Sequence, residues 1–262
     1  MPLSSTGRIP GFHPGGRRFE SGQRYNWSFD QNKDLFATLG PFGTQKENFM
    51  IEYPSIINSS KAPRQSMIAF EKLDGSNIRV KYTAKRGFDL FGSRTQLLDE
   101  THPILGGVVK VFNETCKEAL EEYFRKYYSK EREIEVFGEY VGPNSFAGFH
   151  SDPVDKMKFV LFDVMMIRKG YNEFLLPQEF IKLAERNASV PVPRVIYEGN
   201  LTDDFISRVR ADEFGTFEGV VCKGKQGLGS FRGKVWMCKI KTNAYLELLK
   251  EKKGADWVKF AE

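Results

Sequence analysis

Lys72-Leu73-Asp74-Gly75-Ser76-Asn77 lies between two β-rich stretches, residues 67–70 and 78–82. Asp-Gly between such stretches is the strongest short signal for a β-hairpin, and taken alone the run reads first as that turn. It also has a chemical reading. A lysine just ahead of an Asp-Gly turn is placed to act as a nucleophile. Its amine can attack the α-phosphate of a nucleoside triphosphate, forming a phosphoramidate and releasing pyrophosphate. The rest of the chain decides between the two.

Downstream, Val235–Lys241 alternates with a period of two, so Lys239 and Lys241 share one strand face and Trp236, Cys238 and Ile240 the other. The apolar face fits a core. The two ammonium groups on the opposite face can be solvated, or can clamp a phosphate and stabilise charge on it. In the run from Glu133 to Tyr140, Glu135, Phe137 and Glu139 alternate with Ile134, Val136 and Gly138. Glu139 can therefore reach a ribose hydroxyl or a metal-bound water, or else be an exposed strand residue. Phe159, in Lys158-Phe159-Val160-Leu161-Phe162-Asp163, sits in a run apolar on both faces; core packing is its default, and a base can stack on it if it fronts a pocket. Glu218, ahead of Gly219-Val220-Val221, offers a hard oxygen suited to Mg²⁺, or else merely ends a strand. Arg94, in Phe91-Gly92-Ser93-Arg94-Thr95, can contact a phosphate or be a surface charge. The glycine-rich basic stretch 223–234 lacks the hydroxyl residue and glycine spacing of a P-loop and reads as a flexible basic loop.

The remaining sequence sets the frame. A chain of 262 residues with 40% hydrophobic residues, 23 of them Phe, can bury a substantial core as one large domain or two small ones. No stretch approaches the roughly 20 apolar residues of a membrane span, and the start lacks the apolar segment of a secretory signal. Cys116, Cys222 and Cys238 have no metal-ligand spacing. They read as buried thiols in a reducing, intracellular compartment, with cytoplasm, nucleus and organelle all open. The formal charge of +5 suits a phosphate-rich partner. Residues 1–25, rich in Gly, Pro, Ser and Arg, are expected to be a disordered basic arm or tail within an N-terminal extension to residue 50. Spacing predicts one helix from about residue 104 to 128, a second with Pro177 in its first turn, a third capped by Thr202, and a short charged helix over 247–253. The fold class is α+β with mostly antiparallel sheets.

Taken together and in order, these segments resemble the covalent nucleotidyltransferase superfamily of polynucleotide ligases and mRNA-capping enzymes, and within it the RNA ligase 2-like branch. The likeness spans roughly residues 53–241. Asn77, the Phe-Gly-Glu run followed by Gly142-Pro143, the segment ending Phe162-Asp163, and Tyr53-Pro54-Ser55-Ile56 carry the branch-level similarity. It implies an ATP-grasp-like nucleotidyltransferase fold of antiparallel sheets flanked by helices, with the active site between the sheets in a catalytic domain over residues 51–245. The roles it implies are Lys72 as the AMP-carrying nucleophile, Glu71 and Phe159 on the adenine, and Glu139 on the ribose. Asn77 and Arg94 would serve phosphate chemistry, Lys239 and Lys241 would contact the α-phosphate, and Asp74 and Glu218 would organise Mg²⁺ or Mn²⁺. Phage-type members of the branch have a histidine where this chain has Asp74.

What the resemblance implies as activity is ATP-dependent sealing of a 5′-phosphate to a 3′-hydroxyl, with RNA ends or nicked duplexes containing RNA as partners. A DNA ligase or a GTP-dependent capping enzyme of the same superfamily is the near alternative, and a non-catalytic RNA-binding protein is the alternative of another class. About twenty residues follow Lys241, whereas ligases of this branch usually carry a further C-terminal domain. The expectation is therefore a short charged tail over 246–262 with no room for an OB-fold, and a grip on nucleic acid supplied by the N-terminal extension, the catalytic surface or a protein partner.

Overall fold

The structure, a computed structural model, describes residues 50–142, 156–227 and 235–258. The expected N-terminal extension and most of the basic stretch 223–234 lie outside them. In chain order the elements are β1 (Ile57–Asn58), β2 (Ser66–Lys72), β3 (Ser76–Thr83), β4 (Gly87–Ser93), β5 (Leu97–Leu98), α1 (Gly107–Thr115), α2 (Lys117–Tyr127), β6 (Glu133–Val141), β7 (Lys158–Arg168) and β8 (Tyr171–Phe174). There follow α3 (Pro177–Arg186), β9 (Val195–Asn200), α4 (Asp203–Arg210), β10 (Gly219–Gly227), β11 (Val235–Lys241) and α5 (Asn243–Lys253). The strands form two sheets, ordered β1-β11-β10-β2-β9 and β5-β4-β3-β6-β7-β8. All neighbours are antiparallel except the short β1–β11 pair. The α+β class and the two antiparallel-rich sheets flanked by helices are as expected.

The Asp-Gly hairpin is not formed. β2 pairs with β10 and β9 in the first sheet, whereas β3 pairs with β4 and β6 in the second. Leu73-Asp74-Gly75 therefore carries the chain from one sheet into the other. A side chain at Gly75 would meet the Tyr140 carbonyl oxygen at 2.6 Å, so glycine is needed for the close approach to β6.

The long helix predicted over 104–128 is two helices meeting at Cys116. The Thr115 hydroxyl donates to the Val111 carbonyl at 2.7 Å, a back-bond that bends helices. Cys116 N–H still reaches Phe112 O at 2.9 Å, but its φ of −123° departs from the helical value and separates the two elements. Pro177 occupies the first turn of α3, and the Thr202 hydroxyl accepts from Phe205 N–H at 3.1 Å at the start of α4. No helix of the described residues is long and apolar enough to cross a membrane.

Each sheet buries its outer face under helices. Val108, Phe112, Leu120 and Phe124 of α1 and α2 pack on Ile78, Val80, Ile134, Phe159 and Leu161. Phe205, Ile206 and Val209 of α4 pack on Met67, Ala69, Val220, Cys222, Trp236, Cys238 and Ile240. The inner faces meet through Tyr53, Phe137 and Met165, against which Phe162, Phe174 and Met237 pack. One ion pair also joins the sheets. Lys223 of β10 lies 2.9 Å from Asp163 of β7, with side-chain exposures of 5% and 3%. Its ammonium also donates to Phe162 O at 2.6 Å, and Tyr53 OH donates to Asp163 at 2.8 Å. Lys223 was expected to open a flexible loop; it is instead a buried strand residue, because β10 continues to Gly227.

Candidate active site

The inner face of the first sheet is organised by register. Gly219 is opposite both Lys72 and Lys241, and Val221 is opposite both Phe70 and Lys239. Opposed residues share a face, so two rows across β2, β10 and β11 bring three lysines to one side. Gly219 has φ +136°, and a side chain there would meet Ile240 O at 2.0 Å, so the middle of the first row must be bare backbone. On the second sheet Asn77 is opposite Glu139. Between the sheets lies a cleft whose walls include Glu71, Lys72, Asn77, Arg94, Glu139 and Lys239, with Tyr53, Phe70, Phe162, Pro193 and Val221 as its apolar part.

Glu218, next to Gly219, sits between two cations: one oxygen is 2.7 Å from Lys72 Nζ and the other 3.2 Å from Lys241 Nζ. Burial pushes the Lys72 ammonium down, but Glu218, Glu139 and Asp74 outweigh it and hold its pKa above the ordinary lysine value. Burial, then Lys241 and Lys72, bring Lys239 down to about 8. Burial pushes the Glu139 carboxyl up to about 8, with Glu218 and Asp74 adding to the rise and Lys72 and the Gly75 N–H opposing it. Asp74 is buried and accepts from Tyr245 OH at 3.1 Å, which ties α5 to the turn after Lys72. Arg94 is exposed at the cleft, its Nε on Glu52 at 3.0 Å and its Nη2 on Ser55 Oγ at 3.2 Å.

Of the residues singled out from the sequence, Glu71, Lys72, Asn77, Arg94, Glu139 and Lys239 line this cleft. Lys241, Glu218 and Asp74 stand against Lys72 or its turn. Phe159 does not belong with them. It is fully buried beneath the second sheet, edge-on to Phe112 at 5.0 Å, and its ring fills the space a side chain at Gly138 would need. Phe162 lines the cleft in its place. β7 carries an irregularity there: Gly138 is opposite Leu161 and Phe137 opposite Asp163, so Phe162 is the extra residue and the alternation of faces breaks at it. Tyr245, Lys223 and Arg194, whose guanidinium grips Glu71, were not singled out as site residues from the sequence. Lys223 alone carried a signal, since it follows Val221 by two residues in a strand.

A nucleotide fits these residues. The cleft has aromatic and aliphatic walls beside a cluster of cations, and the Asn77 Oδ1 in its wall is buried with no hydrogen-bond partner, an acceptor awaiting a donor. No three His, Cys, Asp or Glu side chains of the described residues form a ready-made metal cage. Three carboxylates, Asp74, Glu139 and Glu218, stand about Lys72 nonetheless, and Mg²⁺ is commonly held by one or two carboxylates plus phosphate oxygens.

Comparison with known proteins finds the same fold and a family. An archaeal ATP-dependent RNA ligase structure aligns with a TM-score of 0.56 at 19% identity, over 77% of this chain and 51% of its own. A variant of Naegleria gruberi RNA ligase with AMP and Mn aligns at 0.58 and 19%, over 80% and 60%. Another, with ATP and Mn, aligns at 0.52 and 19%, over 77% and 61%. These likenesses show a shared fold, and the chain spans about half to three fifths of the length of those proteins. Comparison with curated proteins returned no match. The family model described as RNA ligase matches residues 65–239, well over half of the sequence and the whole span from β2 to Lys239. The chain belongs to the RNA ligase family.

Proposed function

We propose that the chain is an ATP-dependent RNA ligase that works through a lysyl-AMP intermediate. The observation that carries the reading is the row Lys72–Gly219–Lys241 at the cleft, with Glu218 bridging the two ammonium groups. The neutral Lys72 amine attacks the α-phosphate of ATP; the N–P bond forms, the bond to pyrophosphate breaks and the amine loses a proton. AMP then passes to a 5′-phosphate end, freeing Lys72. A 3′-hydroxyl finally attacks that phosphate, forming the phosphodiester and releasing AMP. Lys239 and Lys241 stabilise charge on the phosphate, Asn77 and Arg94 serve the later phosphate steps, Glu139 receives the ribose, and the base enters between the apolar walls. Asp74 and Glu218 are the residues that would hold a divalent ion, which would supply charge to the triphosphate oxygens. The neighbours with bound AMP or ATP and Mn support ATP and a divalent ion as its cofactors. RNA ends are the acceptor the family supports. A protein partner that adds RNA grip, and a reducing compartment suited to the buried free thiols Cys116, Cys222 and Cys238, complete the reading.

The test is intact mass after incubation with Mg²⁺ and ATP, in parallel with GTP. The wild type is expected to gain one AMP with ATP and nothing with GTP, and Lys72→Ala to gain neither. A folded wild type that gains no adduct sinks the reading; an adduct with GTP moves it to a capping enzyme.

Phe162, not Phe159, is assigned to the base. Phe162→Ala should raise KM for ATP about tenfold, since stacking on an aromatic ring is worth roughly 1–3 kcal/mol per base. Phe159→Leu should lower thermal stability and leave KM within about threefold. The opposite pattern in KM would return the base to Phe159.

A further inference from the structure

Arg194 stands just outside the catalytic cluster, between Pro193 in the cleft wall and β9. Its guanidinium forks onto Glu71: Nε donates to one carboxylate oxygen at 2.7 Å and Nη2 to the other at 3.1 Å. Nη2 also donates to Gly215 O at 2.8 Å. The backbone is fixed at the same place, since Glu71 N–H donates to Arg194 O at 2.9 Å. Further along the same segment, Pro191 O accepts from Leu161 N–H at 2.9 Å, so residues 191–194 are tied to both sheets where Phe70, Phe162 and Val221 form the apolar end of the cleft.

Stability alone gives little account of this arrangement. The Arg194 side chain is 58% exposed, and a pair so exposed adds little to folding. Its geometric effect is larger. Two charge-assisted bonds and a carbonyl hold one guanidinium plane, and that plane fixes both oxygens of Glu71. Glu71 is thereby kept as a rigid, charge-balanced acceptor on the wall beside the base slot, with the lone pairs not used by Arg194 available to a ligand.

We propose that Arg194 is a positioning residue for base selection: it holds Glu71 so that the carboxylate accepts a hydrogen bond from an exocyclic amino group, which admits adenine and disfavours a purine without that group. The inference rests on the proposed nucleotide reading of the cleft and deepens it. A carboxylate released from the fork is free to turn to solvent and lose its directional preference. Lysine at this position keeps the charge but cannot hold both oxygens in one plane.

The test is equilibrium binding, which needs no chemistry. ATP and purine riboside 5′-triphosphate, which lacks the 6-amino group, are titrated by calorimetry in the presence of EDTA into the wild type, Arg194→Ala, Arg194→Lys and Glu71→Gln. The wild type is expected to favour ATP about tenfold, as one good hydrogen bond would give. Arg194→Ala and Arg194→Lys should bind ATP about tenfold more weakly and treat the two nucleotides alike, with little change in melting temperature. Glu71→Gln, which cannot form the charged fork, should also lose the preference and reports on the idea even if an Arg194 variant fails to fold. Preference retained by the variants, or absent from the wild type, overturns the proposal. A general structural defect would weaken both nucleotides equally and preserve their ratio, which also overturns it. A wild type that binds ATP with the preference yet never gains AMP on Lys72 would instead fail the ligase reading alone.

Discussion

Stripped of divalent metal, the protein is expected to bind ATP yet transfer AMP to Lys72 at least about 100-fold more slowly at neutral pH. The reason is the 2.7 Å contact between Lys72 and Glu218. A free lysine has a pKa of about 10.4, so on the order of one amine in a thousand is neutral at pH 7.4. Burial would enlarge that fraction, but Glu218, Glu139 and Asp74 reverse the effect and raise the pKa. The ammonium form, which has no lone pair, therefore dominates further. Positive charge held by Asp74 and Glu218 would cancel the two carboxylates that favour it. The sign with pH follows: without metal, labelling should climb as pH rises toward the raised pKa, with partial recovery by roughly pH 9.5. The measurement is the rate of AMP incorporation in excess EDTA and in Mg²⁺ across that range, with ATP binding followed separately. Comparable rates in EDTA and Mg²⁺ at neutral pH would rule the account out.

Lys223→Met is expected to cost about 3–5 kcal/mol of stability, because it leaves the Asp163 carboxylate buried without its cation. Replacing both partners, Lys223→Met with Asp163→Asn, should recover most of the loss, since Asn still offers Tyr53 OH an acceptor and no charge remains buried. In a domain of this size the single variant should melt roughly 10 °C lower. Thermal unfolding of the two variants beside the wild type checks this. A single variant as stable as the wild type would show that the pair does not bridge the sheets in the folded protein. The loss should also reach the cleft, because the same ammonium holds the Phe162 carbonyl and so the irregular part of β7 from which that ring projects.

Sequence alone carried the elements and singled out residues that the fold mostly gathers at one cleft, and where the two differ the causes are physical. Two-residue alternation put Lys239 and Lys241 on one face because β11 is regular through both. It could not place Phe159 in the core and Phe162 at the cleft, because the irregularity in β7 falls at Phe162, and an extra residue in a strand leaves no mark in an apolar run. The turn chemistry of Asp74-Gly75 is local, while the choice of partner for β2 is made by β10, 146 residues away at Glu218 and Lys72. A hairpin and a crossing between sheets look alike at that range. The helix break at Cys116 comes from a threonine hydroxyl turned back on its own helix, a choice that helical periodicity does not encode. Arg194 has no pattern of its own; only the meeting of its segment with β2 gives it a partner.

The order β1-β11-β10-β2-β9 bears on how the protein is made. β2 is flanked by β10 and β9, both far downstream of it, so during synthesis Lys72 leaves the ribosome long before either neighbour exists. The second sheet can draw on nearer partners, β3 with β4 and β6. The first must close a long loop before its pairing returns any energy, which slows folding. The row Lys72–Gly219–Lys241 therefore cannot form until nearly all of the family domain has been translated, and the cleft wall that β2 carries is among the last parts of the fold to be completed.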